Sequence, residues 1–240
     1  MFVITADQVS SRRQADRAGE MIARLERRHG GALLLPADQT AGDEIQLLTD
    51  SAETALETVL DTTRDGGWSV GLGIGGVRTP LPDAARKASG TAFIAAREAV
   101  QAAKRADGRF ALRAASAPMD SSDTAAERSG ETWPVIDATG LEALVRMLVL
   151  IRERRSEPGW EVVDLARTGL RQKDIAHELG ISTAAVSARL KAGMWRAEAD
   201  AIAPLERLLA AVDAAVTGTV AGVAPAEVAP PESRGSGDTR

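Results

Sequence analysis

The sequence contains no cysteine, no tyrosine and no asparagine. The absence of cysteine excludes disulfide bonds, thiol catalysis, iron–sulfur clusters and cysteine-ligated zinc. Histidine is nearly absent as well. His29 and His177 are too few and too far apart in the sequence to predict a metal cluster.

Long apolar runs are also lacking, since no stretch approaches the roughly 20 residues needed to span a bilayer. The first residues have no basic region and reach an acid at Asp7, which is not the pattern of a signal peptide. We therefore expect a cytoplasmic protein with no membrane partner. A net charge of −5 argues against general coating of nucleic acid but permits a local basic face.

What is present is enough apolar material for a core: 44% of the 240 residues are hydrophobic, which allows one large domain or two small ones. Periodicity predicts strands at 2–6, 32–35, 44–48, 68–77 and 109–113, and helices at 13–28, 51–63 and 88–104. Ser10 and Ser11 are candidate N-caps of the first helix. The order βαββαβ, followed by αβ, predicts an α+β, ferredoxin-like (cyclase-like) domain with helices on one sheet face.

Composition divides the chain further. Residues 1–115 form the predicted α/β domain, and the polar, aperiodic residues 116–137 are a predicted linker. Residues 138–218 are helical in pattern throughout. The segment 219–240 has the composition of a disordered tail.

The most informative stretch runs from Gln172 to Leu190. Ala176 is small where two helices must cross closely, and Gly180 lies where a turn needs a positive φ. Ser182 can cap the second helix. This pattern predicts a helix-turn-helix, the motif that places a recognition helix in the major groove of DNA.

The expected outer face of the second helix is cationic, because no acid occurs between Glu178 and Glu198. Its candidate DNA contacts are Ser182, Thr183, Ala184, Ser187, Arg189 and Lys191. An ordinary helical hairpin with a solvated face is the alternative. The stretch resembles the DNA-binding module of LuxR-type regulators and sigma factors, and that resemblance implies backbone contacts from Arg171 and Lys173.

Apolar residues at three-and-four spacing follow this module, from Trp195 to Val216. They predict either a short dimerising helix or simple packing against the same domain. Pro204 would kink or restart such a helix.

Acidic residues lie at the end of the first predicted strand and at the start of the third. Asp7 ends the first predicted strand, and Asp43 and Glu44 lie in a tight hairpin. Acids at adjacent strand ends can hold a divalent cation, although such residues are also common loop caps. Gly71 to Gly76 spells G-x-G-x-x-G, but these glycines lie inside a strand, so we interpret them as a flat face that permits close approach.

Four segments together resemble the SatD family over about residues 1–196: ADQVSSR at 6–12, GDEIQ at 42–46, GLGIG at 71–75 and GTAFIAAREA at 90–99. That family ends in a helix-turn-helix. Its N-terminal half is distantly similar to class III nucleotidyl cyclases and GGDEF domains. The resemblance implies that Asp7, Asp43 and Glu44 bind magnesium, and that a nucleotide contacts the residues Ser10, Ser11, Arg12, Gly90 and Arg97.

The sequence departs from the catalytic pattern of those enzymes. Ile94 stands where class III cyclases place an asparagine, and Arg97 is one residue early for their arginine. Losing such a transition-state donor costs about 10²–10³ in rate. The expected function is therefore a DNA-binding transcriptional regulator, a homodimer that senses a nucleotide with magnesium. The alternatives are a magnesium-dependent nucleotide enzyme, such as a cyclase, targeted by its helix-turn-helix, and a regulator whose N-terminal domain is a ligand-free dimerisation scaffold.

Overall fold

The computed structural model describes residues 1–9, 17–40, 42–115 and 137–218. Of the predicted features, the tail 219–240, the linker except for Asp137, and the residues Ser10, Ser11 and Arg12 lie outside these ranges. Within them the chain is a mixed α+β protein, as the sequence predicts. None of the helices in the described part of the chain combines the length and apolarity that a membrane span requires.

A five-stranded sheet forms the centre of the molecule, in the order β2-β3-β1-β4-β5. Its strands are β1 Phe2–Gln8, β2 Leu35–Gln39, β3 Glu44–Thr49, β4 Trp68–Ile74 and β5 Phe110–Ala114. The central strand β1 is antiparallel to both β3 and β4, whereas β5 is parallel to β4. The second strand begins later than predicted because Gly30–Ala32 forms a 3₁₀ turn.

The helices begin and end near the expected positions. Their bounds are α1 Ala18–His29, α2 Ala52–Thr62, α3 Thr91–Ala103, α4 Ala138–Glu153, α5 Glu157–Arg167, α6 Gln172–Leu179, α7 Thr183–Ala192 and α8 Trp195–Thr217. The N-cap of α1 is Arg17, with no side-chain cap, rather than Ser10 or Ser11. Ser51 caps α2 by accepting a hydrogen bond from the Thr54 amide at 3.1 Å.

Helices cover both faces of the sheet, so the prediction of helices on one face is wrong. Alternate residues of β1 and β4 enter the main core with α1, α2, α4 and α8, whereas Val3 packs on the opposite face with α3. On β4 that opposite face consists of Ser69, Gly71 and Gly73. A Cβ at Gly71 would lie 2.2 Å from the backbone nitrogen of Val100, and one at Gly73 2.2 Å from the carbonyl of Ala92. The glycines let α3 lie directly on the strand, as the sequence interpretation of a flat face predicted.

The main core crosses the predicted boundary between residues 1–115 and 138–218. Leu141 and Leu148 of α4 share one cluster with the sheet, and so do Leu205 and Leu209 of α8. A separate, smaller cluster joins α5, α6 and α7.

The apolar stripe of α8 is therefore packing within the chain, one of the two alternatives that the sequence left open. Leu205, Leu209 and Val212 are at most 5% exposed. The helix also continues through Pro204 to Thr217 without ending there.

Candidate nucleic-acid interface

The helices α6 and α7 are joined by a short turn that the sequence specifies locally. Gly180 ends α6 with φ 63°, in the left-handed region that favours glycine. The amide of Ile181 donates to the carbonyl of Ala176 at 3.0 Å. Ser182 then starts α7, its Oγ accepting a hydrogen bond from the Ala185 amide at 3.1 Å. Both termini are thus fixed by residues within the turn.

The inner sides of the two helices are held by a small apolar cluster. Ile175, Ala176 and Val186 are buried there together with Val162 of α5. With α6 and α7 anchored by this cluster, one side of α7 remains exposed.

Thr183, Ala184, Ser187 and Lys191 all lie exposed along that surface of α7. Helical spacing brings them together, because residues three, four and seven or eight apart share a side of a helix. The sequence of α7 carries no acid. We call this set the outer face of α7.

Arg189 does not belong to the outer face, contrary to the sequence expectation. Its position on the helix points toward α5, where its guanidinium lies 3.6 Å from the carboxylate of Glu161. The side chain is one-third exposed. A residue two positions from Ser187 is turned by about 200° around a helix, which explains the error.

A groove of about 920 Å³ borders the outer face, between α6, α7 and the start of α8. Arg171, Lys191 and Arg196 line it together with the exposed apolar side chains of Leu170 and Met194. Composition alone does not indicate that Leu170 and Met194 meet at one groove.

The two predicted backbone contacts on the α6 side are both exposed. The guanidinium of Arg171 pairs with Asp174 at 2.8 Å, which partly neutralises it. This contact holds the pKa of Asp174 below its usual value, while burial opposes the shift. Lys173 follows Arg171 in the first turn of α6.

The predicted metal ligands lie on neighbouring strands. Asp7 of β1 is in register with Glu44 of β3. The Asp7 carboxylate, however, pairs with Nζ of Lys104 at 2.7 Å, and Glu44 accepts a hydrogen bond from the Thr40 hydroxyl at 2.7 Å. Asp43 is half-buried beside Glu44 in the same hairpin.

Within the described ranges, no three histidine, aspartate or glutamate side chains are grouped so that they could hold a metal ion. The ammonium of Lys104 offsets the negative charge of Asp7. Asp7 and Glu44 thus each have a partner within the protein, and the magnesium site that the SatD resemblance implies stays a prediction.

The two predicted nucleotide contacts at α3 differ in their exposure: Gly90 is half-buried, whereas Arg97 is exposed. Gly90 precedes α3 with φ 149°, and a Cβ there would lie 2.4 Å from the carbonyl of Gly76. Close packing against that loop therefore explains this glycine. Arg97 is exposed on α3, and so is Ile94, with 62% of its surface accessible.

A buried charge cluster, which sequence analysis missed, joins the helices behind the candidate interface. The carboxylate of Glu198 on α8 accepts from Arg155 and Arg167, both at 2.5 Å, and also contacts Arg152. We call these four residues the Glu198 cluster. Burial by itself would raise the pKa of Glu198, but the three guanidiniums outweigh it and hold the pKa below its usual value.

The Glu198 cluster continues toward the sheet. Arg64, which follows α2, forms a two-pronged ion pair with Asp164 of α5 at 3.0 and 2.6 Å. Its guanidinium also lies 4.1 Å from the ring centre of Trp160, and that of Arg155 lies 4.3 Å from the same ring. The module of α5 to α7 is therefore joined by charged contacts to the end of α2, to α4 and to α8, and its residues do not belong to the main apolar core.

A second buried polar contact lies between α1 and α2. Nε2 of His29 is 3.0 Å from the carboxylate of Asp61, and both side chains are at most 5% exposed. Burial raises the pKa of Asp61, but His29 and Arg28 outweigh that effect, so the pKa lies below its usual value.

Comparison with protein-family models, with curated proteins and with solved structures gave no match to this chain.

Proposed function

We propose that this protein binds double-stranded DNA through α7 and acts as a transcriptional regulator. The observation that carries the proposal is the outer face of α7, formed by Thr183, Ala184, Ser187 and Lys191. This helix is capped, exposed along one side, free of acids and supported by a second helix. Recognition helices that enter a major groove have this form.

The chemistry of the outer face suits base edges as well as phosphates. The hydroxyls of Thr183 and Ser187 can donate to or accept from bases, and the methyl group of Ala184 can contact thymine. Lys191 lies in the last turn of α7, and Lys173 and Arg196 lie on the neighbouring helices. These three cations can bind phosphates of the DNA backbone. In this proposal α6, the turn and α7 constitute a helix-turn-helix.

For the sheet we propose the ferredoxin-like fold. The antiparallel order β2-β3-β1-β4 supports that assignment, with α3 and β5 added beside β4. The resemblance to the SatD family stays a prediction. So do the nucleotide and magnesium, the nucleotide enzyme as the alternative function, and the ligand-free scaffold.

The DNA proposal is tested by selecting genomic fragments with the purified protein and measuring the affinity for a selected duplex at several salt concentrations. The variant Lys191→Ala/Arg196→Ala should lower affinity and reduce the salt slope by roughly 1.8, since each phosphate contact contributes about 0.9. Arg105→Ala/Arg207→Ala removes the same charge from two other exposed positions, one just after α3 and one in the middle of α8. Equal effects of the two double variants would contradict the proposal.

The nucleotide prediction has its own test. ATP or GTP with magnesium should raise the melting temperature of the wild type, and Asp7→Ala should abolish that shift, because binding to the folded state alone stabilises it. If no nucleoside triphosphate shifts the melting temperature, the ligand-free scaffold is favoured instead. Nucleotide turnover that is lost in Asp43→Ala would favour the enzyme.

A further inference from the structure

Helix α4 carries apolar side chains on the side turned away from the core as well as on the core side. Leu141, Val145 and Leu148 are buried against the sheet. On the opposite side Met147 is 59% exposed and Leu144 36% exposed. The α4 face, as we call it, consists of the exposed residues Ala143, Leu144 and Met147 and the half-buried residues Leu150 and Ile151.

Polar residues in the middle of α4 do not interrupt this face, because they are used elsewhere. Glu142 accepts a hydrogen bond from the Leu112 amide of β5 at 2.7 Å. Arg146 reaches the Phe110 carbonyl of the same strand at 3.4 Å. Both side chains cover the free edge of the sheet, so the outward stripe from Ala143 to Ile151 is uncharged.

A helix that is apolar on two opposite sides is normally covered on both. We infer that the α4 face packs against the same face of a second copy of this chain, with the two helices antiparallel about a two-fold axis at Met147. The inference does not rest on DNA binding, since it follows from α4 alone.

The spacing of the face is self-complementary in that arrangement. About an axis at Met147, Ala143 of one copy lies opposite Ile151 of the other, so a small residue meets a large one. Leu144 likewise lies opposite Leu150. A two-fold interface must bring one patch against itself in this way.

The charges at the two ends of α4 favour antiparallel pairing of this helix with α4 of a second copy. Asp137 caps the N-terminus, and Arg154 follows the C-terminus, both exposed. Antiparallel pairing brings Arg154 of one copy near Asp137 of the other at each end, whereas parallel pairing would set like charges side by side. The helix dipoles are also opposed in the antiparallel pair.

Cross-linking tests the contact directly, because the chain has no cysteine to interfere. The variant Met147→Cys in the full chain should give a covalent dimer with a short bismaleimide at about 10 μM protein. Ile94→Cys is the control, since Ile94 is as exposed as Met147 but lies on α3. Equal yields from the two variants would overturn the inference.

Sedimentation of the full chain provides the second measurement. The wild type should sediment as a dimer, Met147→Glu should raise the dimer dissociation constant at least about 100-fold, and Ile94→Glu should leave it unchanged. An exposed position tolerates glutamate, and circular dichroism checks that the fold persists. A wild type that stays monomeric to about 100 μM, or a dimer insensitive to Met147→Glu, would overturn the inference whether or not the protein binds DNA.

Discussion

At the scale of single residues, Glu198 joins three separate segments of the chain. Its carboxylate is fully buried and is shared by guanidiniums from α4, from the loop after it and from α5. A buried charge is tolerated only when it is paired, and the single negative charge of Glu198 offsets part of the repulsion between three neighbouring guanidiniums. Glu198 therefore links α8 to α4, to the loop after α4 and to α5.

We predict that Glu198→Gln lowers the free energy of unfolding by about 3–5 kcal/mol, because it leaves buried guanidiniums without a counter-charge. Urea denaturation measures the change. Asp83→Asn is the matched control, because it removes a carboxylate from the exposed pair with Lys87 and should leave stability unchanged. A Glu198→Gln variant as stable as the wild type would show that the cluster is structurally neutral.

The buried carboxylates also predict how stability depends on pH. The pKa values of Asp61 and Glu198 lie below their usual values of 3.8 and 4.5 in the folded protein. The unfolded chain therefore binds protons at a higher pH than the folded chain. The stabilisation is present above those usual values and is lost as pH falls through the folded pKa values.

Denaturation midpoints between pH 6 and pH 2.5 test this expectation. The wild type should lose stability as the solution becomes more acidic, and Asp61→Asn should show a shallower decline. The idea fails if the slope of the Asp61→Asn variant equals that of the wild type.

At the scale of elements, the contact between β4 and α3 depends on glycine. A methyl group at Gly71 would collide with the backbone of α3, which cannot move as a side chain can. The alanine-rich inner side of α3 is the complementary feature, and Ala96 and Ala99 are fully buried there. Two small surfaces thus build one close helix–strand contact.

We predict that Gly71→Ala lowers the free energy of unfolding by about 1–3 kcal/mol or more, because the strand and helix must separate. Gly76→Ala is the control within the same glycine-rich run. Its Cβ would meet Thr91 Oγ1 at an ordinary distance of 3.7 Å. Thermal denaturation of both variants measures the difference, and equal melting temperatures would contradict the close-contact interpretation.

Local patterns predicted most of these elements, but not how they meet. The turn at Gly180 and the cap at Ser182 could be predicted because both depend on neighbours within a few residues. The pair between Asp7 and Lys104 joins residues 97 positions apart, so nothing local indicates it. Arg189 was wrongly predicted to lie on the outer face, because the prediction considered its charge but not its angular position around the helix.

At the scale of the whole molecule, the sheet and the C-terminal helices are not independent bodies. Helices α4 and α8 complete the sheet's core, whereas α5 to α7 form a cluster of their own. Composition predicted a boundary at 116–137 because that segment is polar. It carries no information on the packing of α4 and α8 against the sheet. The proposed DNA contact and the proposed dimer contact lie on separate helices, α7 and α4, within this single framework.

The central claim, that the outer face of α7 binds duplex DNA, is tested most directly by placing one carboxylate on that face. Ala184→Glu adds a negative charge in the first turn of α7. The helix dipole stabilises a negative charge there, so the substitution should not reduce stability. Ala23→Glu makes the same change at an exposed position of α1. Fluorescence anisotropy on a selected duplex should show affinity reduced at least about 100-fold by Ala184→Glu and nearly unchanged by Ala23→Glu. Equal affinities of the two variants would contradict the account.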